Sequence, residues 1–206
     1  MSICVIIAGG DVPGRITVPE GGYVICADCG LRYAQAQGIT PDLLLGDFDS
    51  YTDALPQGIP VLRLPVEKDV TDTMRAVQYG AEQGFTEFCI YGAFGGKRID
   101  HSLANLQMLR YMYDHGLTGT LCHGSTTVSM QSGPGKTCRY PRFEGDFSLF
   151  SLTEACTGVT IRGTKYDVEN ITLRSSFPLG VSNCIVADCA EVTIESGLLI
   201  VVQVRE

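Results

Sequence analysis

Pro41-Asp42-Leu43-Leu44-Leu45-Gly46-Asp47-Phe48-Asp49-Ser50 reads as a short buried strand that runs out into two carboxylates. Three leucines in a row, with no polar alternation, suit a strand covered on both faces, as in a parallel sheet. If the backbone stays extended through 47–49, residues i and i+2 share a side. Asp47 and Asp49 then aim at one point and Phe48 turns toward the core. Two carboxylates that close repel each other and resist ionising together. A hard divalent cation such as Mg²⁺ relieves that, taking one or two carboxylates together with phosphate oxygens and water. Taken alone, an Asp-x-Asp pair reads more readily as turn or capping residues.

The flanking sequence repeats the pattern. Residues 3–8, 23–27, 43–45, 61–64, 87–91 and 120–123 read as strands, several of them continuous apolar runs. Residues 31–37, 72–83 and 102–115 read as helices. Met74, Val77 and Ala81 recur at helical spacing, as do Leu103, Leu106, Leu109 and Met112. Strand–helix alternation predicts an α/β, Rossmann-like domain with a mostly parallel sheet over residues 1–124. Ligands bind such sheets beyond the carboxyl ends of the strands. After residue 124 the pattern changes. Turn signals at Gly133-Pro134-Gly135 and Gly145-Asp146 separate short β-branched runs at 126–131, 147–152, 157–161, 183–187, 192–195 and 198–204. These predict a small all-β domain over 125–206, a sandwich or open barrel.

Composition narrows the function classes. The chain has 206 residues and a formal net charge of −8, which argues against nucleic-acid binding, because that needs a basic footprint. No apolar run approaches a membrane span, and the N-terminal run is short, lacks a positive flank and ends in glycines. Nine cysteines, an odd number scattered through strand-like segments, read as reduced thiols of a cytoplasmic protein. Cys26-Ala27-Asp28-Cys29 is formally a CxxC, but no second CxxC pairs with it for zinc, and it does not open a redox-type helix.

The polar residues gather where this fold places sites. Gly9-Gly10-Asp11 follows the first strand, Asp28 the second, and Asp47 with Asp49 the third. Glu67-Lys68-Asp69-Val70-Thr71-Asp72 follows the next strand and opens a helix. Gly92-Ala93-Phe94-Gly95-Gly96-Lys97-Arg98-Ile99-Asp100-His101 does the same after 87–91. The last segment is not a Walker A loop, since Tyr91 and Arg98 stand where glycine and Ser/Thr are required. Glycines, two cations and a helix start still suit a phosphate; the plainer reading is a solvated basic turn. Asp28 also reads as an Asx-turn or helix cap, and Asp69 as the N-cap of the helix that follows, with Asp72 in its first turn. His101 reads as a packing residue more readily than as a base.

Ala27-Asp28-Cys29-Gly30, Pro41 to Ser50, Glu67 to Asp72 and Gly95 through Asn105 resemble the thiamine pyrophosphokinase family in motif, order and spacing. The resemblance continues through Gly158-Val159-Thr160, Gly163-Thr164-Lys165-Tyr166 and Gly180-Val181-Ser182-Asn183, covering nearly the whole chain. It implies that ATP and thiamine give AMP and thiamine diphosphate with Mg²⁺. It also implies a homodimer with thiamine between the N-terminal domain of one subunit and the β domain of the other. Carried over residue by residue, Asp47, Asp49 and Asp72 become the catalytic and metal positions. Asp28, Gly95, Gly96, Arg98, Asp100 and Asn105 fall on the ATP side, and Lys68, Asp69, Tyr166, Ser182 and Asn183 on the thiamine side. No nucleic acid or membrane partner is implied. Cys29 stands where the family usually has glycine, Pro178 where a small polar residue is commoner, and the chain has no tryptophan to stack on thiamine. The residues alone leave two other classes open: a metal-dependent nucleotide-sugar transferase, and a non-catalytic nucleotide or thiamine sensor.

Overall fold

The computed structural model describes residues 3–49, 51, 54–67 and 69–206. The chain divides into two compact units, Met1–Gly124 and Ser125–Glu206. The first contains β1 (Cys4–Ile7), β2 (Tyr23–Ala27), α1 (Gly30–Ala36), β3 (Leu43–Gly46), β4 (Val61–Arg63), α2 (Asp72–Glu82), β5 (Glu87–Tyr91), α3 (Ile99–Asp114) and β6 (Thr118–His123). Its strands pair in parallel in the order β4-β3-β2-β1-β5-β6. Chain order therefore reverses about β1, with β2 on one side and β5 on the other, and all carboxyl ends share one edge. A crevice opens at such a reversal.

Both faces of this sheet are covered, which explains the unbroken apolar runs. All four residues of β1 and of β3 are buried. Val5, Ile7, Cys26 and Leu44 pack with Leu31 and Ala34 of α1. Cys4 and Phe88 lie on the opposite face, close against Gly80 of α2. The apolar stripe foreseen for α3 is rotated. Leu103 is 59% exposed, and the buried positions are Ser102, Asn105, Met108, Leu109 and Met112. The helix also begins at Ile99, three residues before the expected start.

The second unit contains β7 (Thr126–Ser132), β8 (Cys138–Pro141), β9 (Gly145–Ser151), β10 (Ala155–Arg162), β11 (Val168–Arg174), β12 (Cys189–Thr193) and β13 (Leu198–Arg205), and no helix. β13 pairs antiparallel with β7 and β9. A second antiparallel sheet runs β11-β10-β12-β8. One core joins the two, with Phe147, Leu149, Leu199 and Val201 meeting Val159, Ile161, Leu173 and Val192. The expected strand at 183–187 does not form. Its backbone makes only single bridges, Phe147 to Asn183 and Thr164 to Ile185, because the loop wraps around one buried side chain, described below. β8 and β11 form where no strand was expected.

Candidate active site

Beyond the carboxyl edge of the parallel sheet lies a cavity of about 790 Å³, a size suited to a nucleotide-like ligand. Asp28, Asp47, Asp49, Asp69, Asp72, Gly95, Gly96, Arg98 and Asn105 all line it, with Gly9, Lys97 and His101. The α/β-side residues singled out in the sequence thus come together, except Asp100, which does not line the cavity, and Lys68, which falls outside the described residues.

Among the described residues, Asp28, Asp47 and Asp49 form a carboxylate group with one oxygen from each within 4.8 Å of the others. The means of convergence differs from the extended strand expected. Phe48 adopts a left-handed φ of 57°, rare for a bulky residue and typical of strained functional turns. Its ring is 8% exposed and packs in the core of the α1 face, which holds the turn. The Asp49 N–H donates to Asp47 Oδ1 at 3.2 Å. Phe48 does turn inward, but a tight turn, not strand alternation, brings Asp47 and Asp49 together.

Asp28 completes the group instead of Asp72. Its backbone N–H donates to the Leu45 carbonyl at 2.8 Å, which ties the end of β2 to β3. Its φ is +47°, a conformation aspartate tolerates better than most residues. Burial pushes the Asp28 carboxyl above its usual range. Hydrogen bonds from Cys29 partly offset this, and the charges of Asp72 and Asp47 add to it. Its Oδ1 is buried and accepts no hydrogen bond from the described residues. A buried acceptor with no donor, beside two more carboxylates, fits a hard divalent cation. Asp72 sits in the first turn of α2, outside the three-carboxylate group. The N-cap of α2 is Thr71, whose Oγ1 accepts from Met74 N at 3.2 Å, and not Asp69, which is exposed on the cavity wall.

Cys29, at the position where the family resemblance leads one to expect glycine, needs no glycine: its φ and ψ are −62° and −8°. The requirement falls on Gly30, whose added Cβ would lie 1.9 Å from the Ile7 carbonyl oxygen. Burial pushes the Cys29 thiol up, and neighbouring Asp28 adds to the shift. Burial also pushes Cys26 up to about 12. This CxxC therefore lacks the lowered thiol pKa of a redox motif, and all nine cysteines are free.

Facing the carboxylates is the segment 92–98. Gly95 and Gly96 have φ of 76° and 74°, and the chain turns from them into α3. The Arg98 guanidinium is engaged by Asp100, with Nε 2.9 Å from Oδ1 and Nη2 2.5 Å from Oδ2. That ion pair holds the Asp100 carboxyl down at about 2. Asn105, 6% exposed, donates from Nδ2 to the Ala93 carbonyl at 2.7 Å and so fixes the loop to α3.

In the β unit, Tyr166, Ser182 and Asn183 are also brought together, with Asn183 as the hub. Asn183 is 8% exposed. Its Oδ1 accepts from the N–H groups of Tyr166 at 3.0 Å and Cys184 at 2.9 Å. Its Nδ2 donates to Thr164 Oγ1 and to the Tyr166 carbonyl, both at 3.0 Å. With that capacity filled, Asn183 shapes the two loops rather than offering atoms to a ligand. Tyr166 is 58% exposed. Ser182 has a φ of 55°, and its N–H donates to Ser148 Oγ. Pro178 borders a separate cavity of about 300 Å³ with Phe177 and Gly180.

The sequence matches the family described as "Thiamin pyrophosphokinase, catalytic domain" over residues 18–121. It matches "Thiamin pyrophosphokinase, vitamin B1 binding domain" over residues 137–199. A thiamine pyrophosphokinase of Bacillus subtilis (strain 168) is 26% identical over 209 residues, covering 96% of each chain. The crystal structure of thiamine pyrophosphokinase from Bacillus subtilis superposes with a TM-score of 0.87 at 24% identity over the full length of both chains. A thiamin pyrophosphokinase family protein from Enterococcus faecalis gives 0.84, also at 24% identity and full coverage. With matches falling in each of its two units and the same fold along its whole length, the chain belongs to the thiamin pyrophosphokinase family.

Proposed function

We infer that this chain transfers the pyrophosphoryl group of ATP to the hydroxyl of thiamine, giving thiamine diphosphate and AMP. The observation that carries the reading is the carboxylate group facing a glycine–basic loop across one cavity, in a chain of this family. In such a transfer the hydroxyl oxygen bonds to the β-phosphorus and the bond to the α-phosphate oxygen breaks. Positioning and charge stabilisation dominate, because the transition state is loose.

Asp28, Asp47 and Asp49 would hold the divalent cation, Mg²⁺ by hardness and charge. Bound there, it would neutralise polyphosphate charge. Gly95, Gly96, Lys97 and Arg98 form the loop at the N-terminus of α3 that would bind the polyphosphate, through the cations of Lys97 and Arg98 and the loop N–H groups other than that of Gly96, which donates to Asp11 Oδ2. Asp100 orients Arg98, and Asn105 fixes the loop behind it. Asp72, beside Asp28, is assigned to the thiamine hydroxyl, with Lys68 and Asp69 on the substrate side. Tyr166 and Ser182 present the thiamine-side surface of the β unit, Tyr166 held by Asn183 and Ser182 by Ser148.

In this reading residues 1–124 form a Rossmann-like catalytic domain. Residues 125–206 form a two-sheet sandwich that binds thiamine and makes the homodimer, with thiamine between the α/β unit of one subunit and the β unit of the other. Nine free thiols support a reducing, cytoplasmic setting. Purified protein with ATP, Mg²⁺ and thiamine is expected to release AMP and thiamine diphosphate in equal amounts. Turnover of a nucleotide sugar in place of ATP, or binding of both substrates without products, would reject the assignment.

A further inference from the structure

We propose that Asp11 is the positioning residue of the Gly95-Gly96 loop: it holds the loop in shape for an anionic polyphosphate without touching the ligand. The inference rests on the reading of that loop as the polyphosphate contact. Beyond the last regular rung between β1 and β5, where Ala8 N donates to the Tyr91 carbonyl at 2.8 Å, three more bonds join the two segments. Gly10 N donates to Gly92 O at 3.0 Å, Asp11 N donates to Phe94 O at 2.9 Å, and Gly96 N donates to Asp11 Oδ2 at 2.8 Å. One residue thus supplies a donor and an acceptor to the same loop. The carboxylate lies so close to Gly95 that an added Cβ would sit 2.4 Å from Asp11 Oδ2.

The loop needs such a tether. Two consecutive left-handed glycines have wide conformational freedom, and free movement there would blur the placement of Lys97 and Arg98. Gly95 and Gly96 line the cavity, whereas Asp11 does not. Asp11 therefore acts on the ligand through the loop. Its useful property is the acceptor oxygen; its negative charge, near an anion site, is of no help. That separates the two conservative replacements. Asn keeps a carbonyl acceptor without the charge, and Ala keeps neither.

The test compares Asp11→Ala and Asp11→Asn in the full chain, by amide hydrogen exchange over residues 94–98 and by steady-state kinetics. Asp11→Ala is expected to speed exchange in that segment and to raise the KM for ATP up to about tenfold, as loss of one hydrogen bond holding the loop would. The KM for thiamine should stay within about twofold. Asp11→Asn should keep wild-type exchange and a KM for ATP no higher than wild type. Wild-type exchange in Asp11→Ala, or an Asn variant as impaired as Ala, would overturn the tether and leave the proposed function untouched. Faster exchange with an unmoved KM for ATP, in Asp11→Ala and Arg98→Ala alike, would instead overturn the placement of ATP at this loop, and the inference with it.

Discussion

Asp28 carries a charge that the fold alone does not favour. Because its carboxyl lies above its usual 3.8, the folded chain binds that proton more tightly than the unfolded chain. The stability it contributes is full below pH 3.8 and is lost as pH rises through the raised value. A bound divalent cation reverses the balance by favouring the ionised form. Asp28→Asn is therefore expected to raise the thermal midpoint of metal-free protein at pH 7. It should also flatten the decline in stability above pH 3.8 and abolish the upward shift expected of the wild type on adding Mg²⁺. A Mg²⁺ shift of wild-type size in the variant would remove Asp28 from the metal group. At this scale the sequence was partly legible. The Asp-x-Asp motif marked two of the three carboxylates from their spacing. The third, Asp28, was marked as a strand-end carboxylate, but its place beside Asp47 and Asp49 rests on the β2–β3 pairing, which no local pattern displays. The left-handed Phe48 was hidden, because its cost is met by a core made of distant residues.

At the scale of elements, α2 shows how a site residue is held. Thr71 caps the helix and sets the first turn on which Asp72 sits. Thr71→Ala is expected to cost about 1 kcal/mol, or roughly 2–4 °C in thermal midpoint for a chain of this size. Turnover should fall with it, since Asp72 would ride on a fraying turn. Unchanged stability would deny the cap. The parallel strands were legible because burial on both faces leaves unbroken apolar runs. In the β unit the code is weaker. β11 reads Val168-Glu169-Asn170-Ile171-Thr172-Leu173-Arg174, but its register shifts and Asn170 has a φ of 51°, so alternation fails to show. β8 is four residues long and ends in proline. The apolar run at 184–187 imitates a strand, yet the Asn183 side chain competes for the backbone groups of the adjoining loops.

At the scale of the whole molecule, the assignment of thiamine to a site shared between two subunits makes a sharp prediction. On that assignment, Asp49→Asn would impair the α/β half of a site, and Tyr166→Ala the β half. Each variant alone is expected to be nearly inactive. Mixed and allowed to exchange subunits, they should regain activity, because some dimers then contain one site with both halves intact. No recovery after verified exchange, or full activity in a strictly monomeric enzyme, would reject the shared site.

Cys29 sits on the cavity wall, with a thiol held protonated by burial and by the charge of Asp28. A glycine at that position would have no such group, so this chain carries its own chemical voltmeter. Any cation that offsets the carboxylates lowers the cost of the thiolate and speeds alkylation at that one sulfur. Labelling of the Cys29 peptide, followed by mass spectrometry, should therefore quicken as Mg²⁺ is added and slow again with a chelator. The substitution that looks like a lapse from the family pattern would serve as a built-in reporter of site occupancy.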